Sequence, residues 1–555
     1  MTNPPVAKRI PVSRERFGDV AVDDYAWLRD RDDPDLRTLL EAENAHTDAV
    51  LAPQAALRER IYEEIKDRTQ ETDLSVPHRR GGWWYYSRTV EGLAYPIHCR
   101  LPDDGTGIPD IDAGAEEREQ VLLDENVVAE GHDYSSLGVL HVSPDGTRLA
   151  WSVDHDGDEA HLLHVRDLDT GTDLAEAIPN TSYGFAWAAD SRTCFVTTLD
   201  EAQRPWQVHR HVVGDDPADG SGDALVHQED DERFFVSVSL SRSGDLVVID
   251  LGSSVTTEVH LVDAHDPTAA ARVVEPRRQG VEYSVAHHGD DLYVLANDGA
   301  PNFALWKAPV ATPGRDHWEP VIEHRDDTRL DHVDEFASHL VVHLRKEGLT
   351  GLRFLEIGGS GAERDVSFDE AVYTVMPGVN LEFTTGTYRF GYQSLTTPPS
   401  VYEEAFGGGD RVLLKRQPVL GDFDPDVYDA ARLWATADDG TEVPISMVWR
   451  KGVERDGTAP CLLYGYGSYE VSMDPWFSVA RLSLLDRGWS SRSPTCAAAG
   501  RWAGTGTRTA SSWPSRTRSR TSSPAPDTSW RRAGPHPSGS PRAAAAPAAC
   551  SWAHR

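Results

Sequence analysis

The chain has 555 residues and a formal net charge of −36 at pH 7. A chain of this length accommodates two or more domains, and so acidic a protein repels the phosphates of nucleic acids. The acidity favours either solubility or the attraction of basic peptides. The charge is unevenly distributed, because the residues after Gly488 contain ten arginines and a single acid, Asp527.

Cysteine usage and the amino terminus indicate a cellular compartment. The 5 cysteines show neither a disulfide framework nor a metal-binding pair, so the sequence predicts no metal site and no cofactor. Residues 1–17 lack the apolar core of a signal peptide, and no apolar run is long enough to cross a bilayer. The sequence therefore predicts a cytoplasmic protein without membrane or nucleic-acid partners, and its oligomeric state stays unknown.

The first part of the chain has the periodicity of helices. Between residues 20 and 70, apolar side chains recur at helical spacing, for example at Leu36, Leu39 and Leu40, and polar side chains fill many of the other positions. The sequence predicts a helical segment over residues 1–74.

From Trp83 onward, short apolar runs follow charged or glycine-bearing turns again and again. The centres of these runs are Tyr85, Leu149, Phe195, Val247, Tyr293, Val341 and Phe390. After a longer first step, successive centres are 46 to 52 residues apart. A period near 50 is typical of a β-propeller, and the seven centres predict seven blades over residues 75–410. The Asp-Gly turns between runs are interpreted as hairpin turns rather than as ligand sites.

The repeat ends near residues 407–409, where a different pattern begins. Strand-like runs at 431–436 and 443–449 precede a third apolar run at 461–464, a glycine-rich loop and a helical run at 479–485. This order is typical of the start of an α/β domain, in which loops at strand ends hold the functional site. The predicted segment spans residues 411–488.

Residues 489–555 contain no Leu, Ile, Val, Phe, Tyr or Met. Such a segment cannot bury enough apolar area to offset the entropy lost on ordering it, so we expect a disordered tail. We also expect the strands of residues 411–488 to keep their apolar faces exposed, because the tail supplies neither partner strands nor covering helices.

Several stretches spread over residues 5–488 carry a family resemblance. They include Asp24-Tyr25-Ala26-Trp27-Leu28-Arg29-Asp30, Glu71-Thr72-Asp73-Leu74-Ser75-Val76-Pro77, Glu229-Asp230-Asp231-Glu232-Arg233-Phe234-Phe235 and Leu463-Tyr464-Gly465-Tyr466-Gly467-Ser468-Tyr469. Together they resemble the prolyl oligopeptidase family of serine peptidases, and within it the oligopeptidase B branch. The resemblance implies a seven-bladed β-propeller that covers an α/β-hydrolase domain, with the amino-terminal helical segment packed on the hydrolase domain.

The resemblance also implies an activity, the hydrolysis of short peptides after Lys or Arg by a Ser-His-Asp triad. Short basic peptides would then be the substrates. In this family a tyrosine of the Tyr-Gly-Tyr-Gly loop helps to hold the oxyanion, and the matching residue is Tyr466. Asp474 matches an acid that favours basic substrates, whereas Trp476 replaces a second acid often found there. Without the resemblance, Tyr466 would be interpreted as a structural loop residue.

The family's nucleophile elbow, Gly-x-Ser-x-Gly, does not occur in the sequence. The two tail serines beside a glycine, Ser538 and Ser540, have no glycine two places away on either side. The triad Asp and His, which would follow the elbow in the family, are expected beyond the last residue of this chain. The chain with its present tail is therefore predicted to lack the triad and to be inactive.

Translation of the tail one base out of register restores the family pattern. An elbow becomes possible in which the serine codon straddles Ala545 and Ala546, and residues 488–494 can encode the apolar run Val-Val-Phe-Ala-Val-Ala. At Trp502-Ala503 and Trp552-Ala553 the shifted codon can encode only Gly, as the family pattern requires. We infer that the reading frame changes near Gly488.

Two hypotheses stay open at this point. In the first, the in-frame product is an oligopeptidase B-like serine peptidase. In the second, the chain is a propeller with a broken, truncated hydrolase domain that binds peptides at most. Other branches of the family, namely prolyl, dipeptidyl or acylaminoacyl peptidases, are alternatives to the first. A genuine arginine-rich, anion-binding tail is the alternative to the frame change.

Overall fold

The computed structural model describes residues 3–111, 118–438, 440, 442–454, 456–466 and 472–494. The chain divides into two compact units, Met1–Thr69 and Gln70–Arg555. None of the helices in the described ranges is long and apolar enough to cross a membrane.

The first unit combines a β-hairpin with two helices. Its elements are β1 (Val12–Arg16), β2 (Asp19–Asp23), a 3-10 turn (Ala26–Arg29), α1 (Pro34–Leu51), a second 3-10 turn (Ala52–Gln54) and α2 (Ala55–Asp67). The Asp33 carboxylate caps α1 by accepting a hydrogen bond from the Asp35 N–H at 2.8 Å. The helices were predicted, but the hairpin was not. Its turn residues Phe17 and Gly18 both have positive φ, as a two-residue hairpin turn requires.

The second unit begins with three antiparallel blades. Blade 1 consists of β3 (Asp73–Leu74), β4 (His78–Arg80), β5 (Trp83–Thr89), β6 (Ile97–Pro102) and β7 (Gln120–Asp124), and is followed by the short helix α3 (Glu125–Val128). Blades 2 and 3 form one sheet of β8 (Ser136–Val142), β9 (Arg148–Asp154), β10 (His161–Asp167), β11 (Thr172–Trp187), β12 (Thr193–Leu199), β13 (Pro205–Val212) and β14 (Ala224–Gln228). The two blades are continuous because the 16-residue strand β11 ends blade 2 and begins blade 3.

Four separate four-stranded blades follow. Blade 4 contains β15 (Phe235–Leu240), β16 (Leu246–Gly252), β17 (Thr257–Asp263) and β18 (Arg272–Val273), and blade 5 contains β19 (Tyr283–His288), β20 (Asp291–Ala296), β21 (Ala304–Pro309) and β22 (Glu319–Ile322), with a 3-10 turn at Arg315–His317. Blade 6 contains β23 (Thr328–Glu335), β24 (His339–Lys346), β25 (Leu349–Glu356) and β26 (Glu363–Asp365), and blade 7 contains β27 (Tyr373–Pro377), β28 (Thr387–Ser394), β29 (Ser400–Ala405) and β30 (Val412–Arg416).

The predicted β-propeller is confirmed by this topology. Each of the seven apolar centres found in the sequence lies on the strand next to the first edge of a different blade, from Tyr85 on β5, which pairs with both β3 and β4, to Phe390 on β28. Side chains of neighbouring blades form shared apolar clusters, as where Phe195 of blade 3 packs with Val236 and Val247 of blade 4. The strands that carry these centres are buried on both faces, which explains why they read as continuous apolar runs.

The seam between blades 7 and 1 is joined by polar contacts. Lys415 of blade 7 forms an ion pair with Asp73 at 2.6 Å, and the Arg389 guanidinium donates to the Pro77 carbonyl at 2.5 Å. A cavity of about 760 Å³ lies along this seam and is lined by both blades. The first and last blades are therefore closed by side-chain contacts rather than by a shared strand.

The connection between β27 and β28, residues 378–386, joins blade 7 to three other blades. It accepts hydrogen bonds from Gly81 N at Glu382 Oε1, from Ala337 N at the Phe383 carbonyl, and from Arg242 Nη1 at the Asn380 carbonyl. Blades 1, 6 and 4 are thereby tied to the same connection.

The last described segment is a four-stranded mixed sheet with one helix. Its elements are a 3-10 turn (Pro425–Val427), β31 (Tyr428–Thr436), β32 (Glu442–Arg450), β33 (Cys461–Leu463), α4 (Val479–Leu485) and β34 (Ser490–Pro494). The strand order is β31-β32-β34-β33, and β33 and β34 are parallel. The predicted strands and helix of residues 411–488 are present in this segment.

Two expectations about this sheet are wrong. Residues 490–494, predicted to belong to a disordered tail, form the strand β34 between β32 and β33. The apolar side chains of β32, predicted to stay exposed, are buried: Val443, Ile445, Met447 and Val448 are each at most 2% exposed. Polar residues make the backbone hydrogen bonds of a strand as well as apolar residues do. The polar strand β34 can therefore pair with both β32 and β33. Residues 495–555 lie outside the described ranges.

The side chains of β34 are polar although the strand is internal. Ser490, Ser491, Arg492 and Ser493 are each at most 8% exposed, and burial lowers the pKa of Arg492. The Ser493 hydroxyl has no hydrogen-bond partner within the described ranges. Internal strands of such sheets are normally rich in Val, Ile and Leu. The position of β34 therefore suits the apolar run that the shifted reading frame can encode.

Ser493→Val should stabilise this segment by about 1 kcal/mol, because it removes a buried unpaired hydroxyl and adds apolar contact. The measurement is the free energy of unfolding in urea. The same substitution at Ser237, an exposed strand residue of blade 4, should change it by less than about 0.5 kcal/mol. A loss of stability in the Ser493 variant would show that the polar side chain is required.

Candidate active site

Tyr466, the predicted oxyanion donor, lies in the loop that follows β33. The hydrogen-bond ladder continues one residue beyond the strand, because the Tyr464 N–H donates to the Arg492 carbonyl at 2.9 Å. Tyr466 follows two residues later and is half-buried. Ligands of open α/β sheets bind beyond the carboxyl ends of parallel strands, and β33 and β34 end at this loop. The loop therefore has the position of a functional loop, and the role of Tyr466 stays a prediction.

Trp476, which replaces a second acid of the family pattern, packs against this loop. Its ring lies edge-on to the ring of Tyr464, with 5.7 Å between centroids. The Arg481 guanidinium lies over the indole at 5.4 Å and donates to the Trp476 carbonyl at 2.8 Å. Burial lowers the pKa of Arg481 to about 10. Trp476 thus contributes aromatic and cation–π packing at a position where an acid would contribute charge.

Asp474, the predicted substrate-binding acid, is paired with an arginine of the propeller. Arg345, near the end of β24, donates two hydrogen bonds to the carboxylate, at 2.6 Å to Oδ1 and 3.0 Å to Oδ2. The Arg345 side chain is 1% exposed and that of Asp474 is 23% exposed. Burial opposes the positive charge, but the hydrogen bonds and charge of Asp474 outweigh it and raise the pKa of Arg345. The geometry is that of a bidentate ion pair.

Two further charged residues complete the cluster around this pair. The Asp331 carboxylate lies 3.6 Å from the Arg345 Nε. Arg432 of β31 donates to the Ser446 hydroxyl at 2.8 Å and to the Glu347 carbonyl at 2.7 Å, and burial lowers its pKa to about 10. Two acids therefore face two arginines, so the negative charge of Asp474 is already compensated within the chain.

The loop of residues 472–478 is held against blade 7 as well as blade 6. The Thr374 hydroxyl donates to the Pro475 carbonyl at 2.6 Å, and the Phe477 N–H donates to Gln393 Oε1 at 3.1 Å. Phe477 also belongs to an apolar cluster that joins the propeller to β31, β32 and α4. These contacts place the candidate site at the junction of the propeller with the α/β segment.

The predicted serine codon, which would straddle Ala545 and Ala546, lies outside the described ranges. The tail serines Ser538 and Ser540, which do not fit the elbow, lie outside them too. Arg345 was not predicted from the sequence. Its signal was a long cation soon after the apolar residues Leu340, Val341 and Val342, in a mostly buried strand, because a cation at such a position needs an acidic partner.

The seven-bladed β-propeller joined to an α/β segment is a combination of domains that identifies a protein family. The family model of the prolyl oligopeptidase N-terminal β-propeller domain matches residues 4–417. The chain therefore belongs to the prolyl oligopeptidase family.

Curated relatives with peptidase names agree with this assignment. Dipeptidyl aminopeptidase BI of Pseudoxanthomonas mexicana is 39% identical over 498 residues, which cover 88% of this chain and 68% of the relative. Protease 2 of Moraxella lacunata is 35% identical over 486 residues, which cover 87% of this chain and 69% of the relative. The chain thus spans about two thirds of the length of these relatives.

Solved structures of family members have the same architecture. Oligopeptidase B from Leishmania major superposes with a TM-score of 0.85 at 30% identity, covering 92% of this chain and 73% of that one. Oligopeptidase B from Trypanosoma brucei, with covalently bound antipain, gives the same TM-score and identity, covering 94% and 75%.

Asp474→Asn should destabilise the junction by about 2 kcal/mol, because it leaves the buried Arg345 cation without its bidentate partner. Urea unfolding measures the change. The control is Asp365→Asn, since Asp365 makes a similar contact to Arg353 at 2.6 Å but is 63% exposed. That variant should lose less than about 1 kcal/mol. Equal losses in both variants would contradict the role given to the buried pair.

Proposed function

We propose that the gene encodes a serine-type oligopeptidase that hydrolyses short peptides after Lys or Arg, as an oligopeptidase B does. We further propose that the chain with its present tail does not catalyse this reaction. The observation that carries both proposals is the internal strand β34, which holds polar residues in an apolar position. In the shifted frame the same segment can encode the expected apolar strand and, further on, the family's nucleophile elbow.

The mechanism assigns one described residue to the reaction. In the in-frame product, the serine of the elbow attacks the peptide carbonyl, a histidine transfers the proton, and an aspartate orients the histidine. The Tyr466 hydroxyl donates a hydrogen bond to the oxyanion of the tetrahedral intermediate. Tyr466 alone cannot supply covalent catalysis, because that requires a nucleophile with an adjacent base.

The preference for basic peptides is supported by the overall charge of −36, which attracts cationic substrates. Asp474 does not add to this support, because Arg345 already holds its carboxylate. This pairing favours a second candidate, a dipeptidyl peptidase without strong selection for basic side chains. The relative named dipeptidyl aminopeptidase BI supports the same alternative. Cytoplasmic location stays a prediction from the sequence.

A frame-restored gene tests the substrate class. Its product should cleave an arginyl amide reporter with a kcat/KM at least about 100-fold above that for a prolyl reporter. A higher kcat/KM for a reporter with a free amino-terminal dipeptide would select the dipeptidyl alternative instead. The present chain, assayed in parallel, should cleave none of the three.

Tyr466→Phe in the frame-restored protein should lower kcat for the arginyl reporter about 100-fold, because one oxyanion donor is lost. Its KM should change little, since the hydroxyl acts mainly in the transition state. Tyr183→Phe, which removes the hydroxyl of an exposed propeller tyrosine, is the control and should leave kcat unchanged. An unchanged kcat in the Tyr466 variant would remove this residue from the mechanism.

A further inference from the structure

Blade 3 contains a compact group of side chains that are able to bind a metal ion. His211 lies near the end of β13, and Asp216 and Asp223 lie in or next to the connection from β13 to β14. One possible ligand atom from each of the three lies within 4.8 Å of the others. The side chains of His211 and Asp223 are 0% and 2% exposed. This group is a built part of the interior rather than a cluster of solvated surface acids.

The connection that carries the two aspartates, residues 213–223, is packed tightly against β11. The Ala177 N–H donates to the Ala218 carbonyl at 2.8 Å, and the Val212 N–H donates to Asp216 Oδ2 at 2.8 Å. A Cβ at Gly220, where φ is +72°, would lie 2.9 Å from the Ile178 side chain. The backbone therefore holds both carboxylates in place beside His211.

A further buried carboxylate, that of Glu176, lies on β11. Glu176 is 3% exposed, and its Oε1 accepts a hydrogen bond from the Gly214 N–H at 2.8 Å, at the start of the connection. Its Oε2 is buried and has no hydrogen-bond partner within the described ranges. A buried polar atom without a partner is costly, and a bound cation would satisfy this oxygen.

The group has an excess of negative charge. The His211 Nδ1 and Asp223 Oδ1 share a hydrogen bond of 2.7 Å. The three carboxylates of Asp216, Asp223 and Glu176 accompany a single imidazole, so acids outnumber basic groups in this part of the blade.

Several other buried acids of the propeller are paired with arginine. Asp334 pairs with Arg242, Glu229 with Arg277, and Glu404 with both Arg364 and Arg411. Among Glu176, Asp216 and Asp223, the only ion pair within the described ranges is that of Asp223 with His211. Because buried carboxylates need a matching cation, this group lacks the arginine that the other three acids have.

We propose that blade 3 binds one divalent transition-metal ion of the Zn²⁺ type through His211, Asp216 and Asp223, with Glu176 as the fourth ligand. An imidazole nitrogen with carboxylate oxygens suits Zn²⁺, whereas Ca²⁺ prefers oxygen ligands only. The site fastens the β13–β14 connection to β11 and takes no part in peptide hydrolysis. The spacing of the cysteines did not indicate it, because none of its ligands is a cysteine.

Cobalt titration of the full chain tests the proposal directly. The purified protein is stripped with a chelator, dialysed and titrated with Co²⁺, whose visible absorption reports ligand binding. We expect saturation at one equivalent, loss of the bands when Zn²⁺ is added, and a higher Tm with either ion. No binding in the stripped wild-type chain, or binding of Ca²⁺ without Co²⁺ or Zn²⁺, would overturn the proposal.

Variants assign the ligands. His211→Asn should weaken Co²⁺ binding more than about 100-fold, because a direct ligand is lost, and Asp216→Asn gives a second variant at a less buried position. His155→Asn is the control, since His155 stacks on His132 at 3.6 Å and that pair is a competing source of imidazole ligands. Circular dichroism checks that each variant is folded. Binding that survives in both the His211 and Asp216 variants, or is lost in the His155 variant, would contradict the assignment.

Discussion

The sheet of the α/β segment depends on a strand that fills the position between β32 and β33. A strand there must pair with both neighbours and must also place its side chains in the interior. The residues present meet the first requirement, because β34 is antiparallel to β32 and parallel to β33. They meet the second poorly, because three serines and an arginine are buried where apolar side chains belong. The backbone of β34 therefore pairs with its neighbours although its side chains do not have the apolar pattern of an internal strand.

The candidate site depends on the same position. The loop with Tyr466 leaves β33 beside the carboxyl end of β34, and the hydrogen bond from the Tyr464 N–H to the Arg492 carbonyl fixes the start of this loop. From the other side, blades 6 and 7 hold the neighbouring loop through the Arg345–Asp474 pair and the Phe477 contacts. The propeller thus orders one wall of the site, and the sheet orders the other. Because Arg345 neutralises Asp474, this carboxylate is already paired within the chain.

The propeller was predictable because its signal is local and repeated. Apolar runs such as residues 246–249 are buried on both faces of their strand. The apolar runs of the sequence therefore mark the buried strands of the blades. The β1–β2 hairpin was missed because its side chains are almost all exposed, so the short alternation of Val20 and Val22 in β2 does not mark a buried face. The pairing of Arg345 with Asp474 and the blade 3 ligand group join residues far apart in sequence or of unlike type. Such contacts depend on tertiary geometry, which neither a sequence repeat nor a short motif specifies. The strand β34 was missed because its composition contradicts its position.

The account's central claim is that the codons after Gly488 are translated in the wrong register, which removes the nucleophile. Labelling with a serine-directed fluorophosphonate probe, followed by intact-protein mass measurement, tests this claim most directly. The frame-restored chain should take up about one probe per molecule and the present chain none, because only an activated serine reacts. Stoichiometric labelling of the present chain would contradict the account.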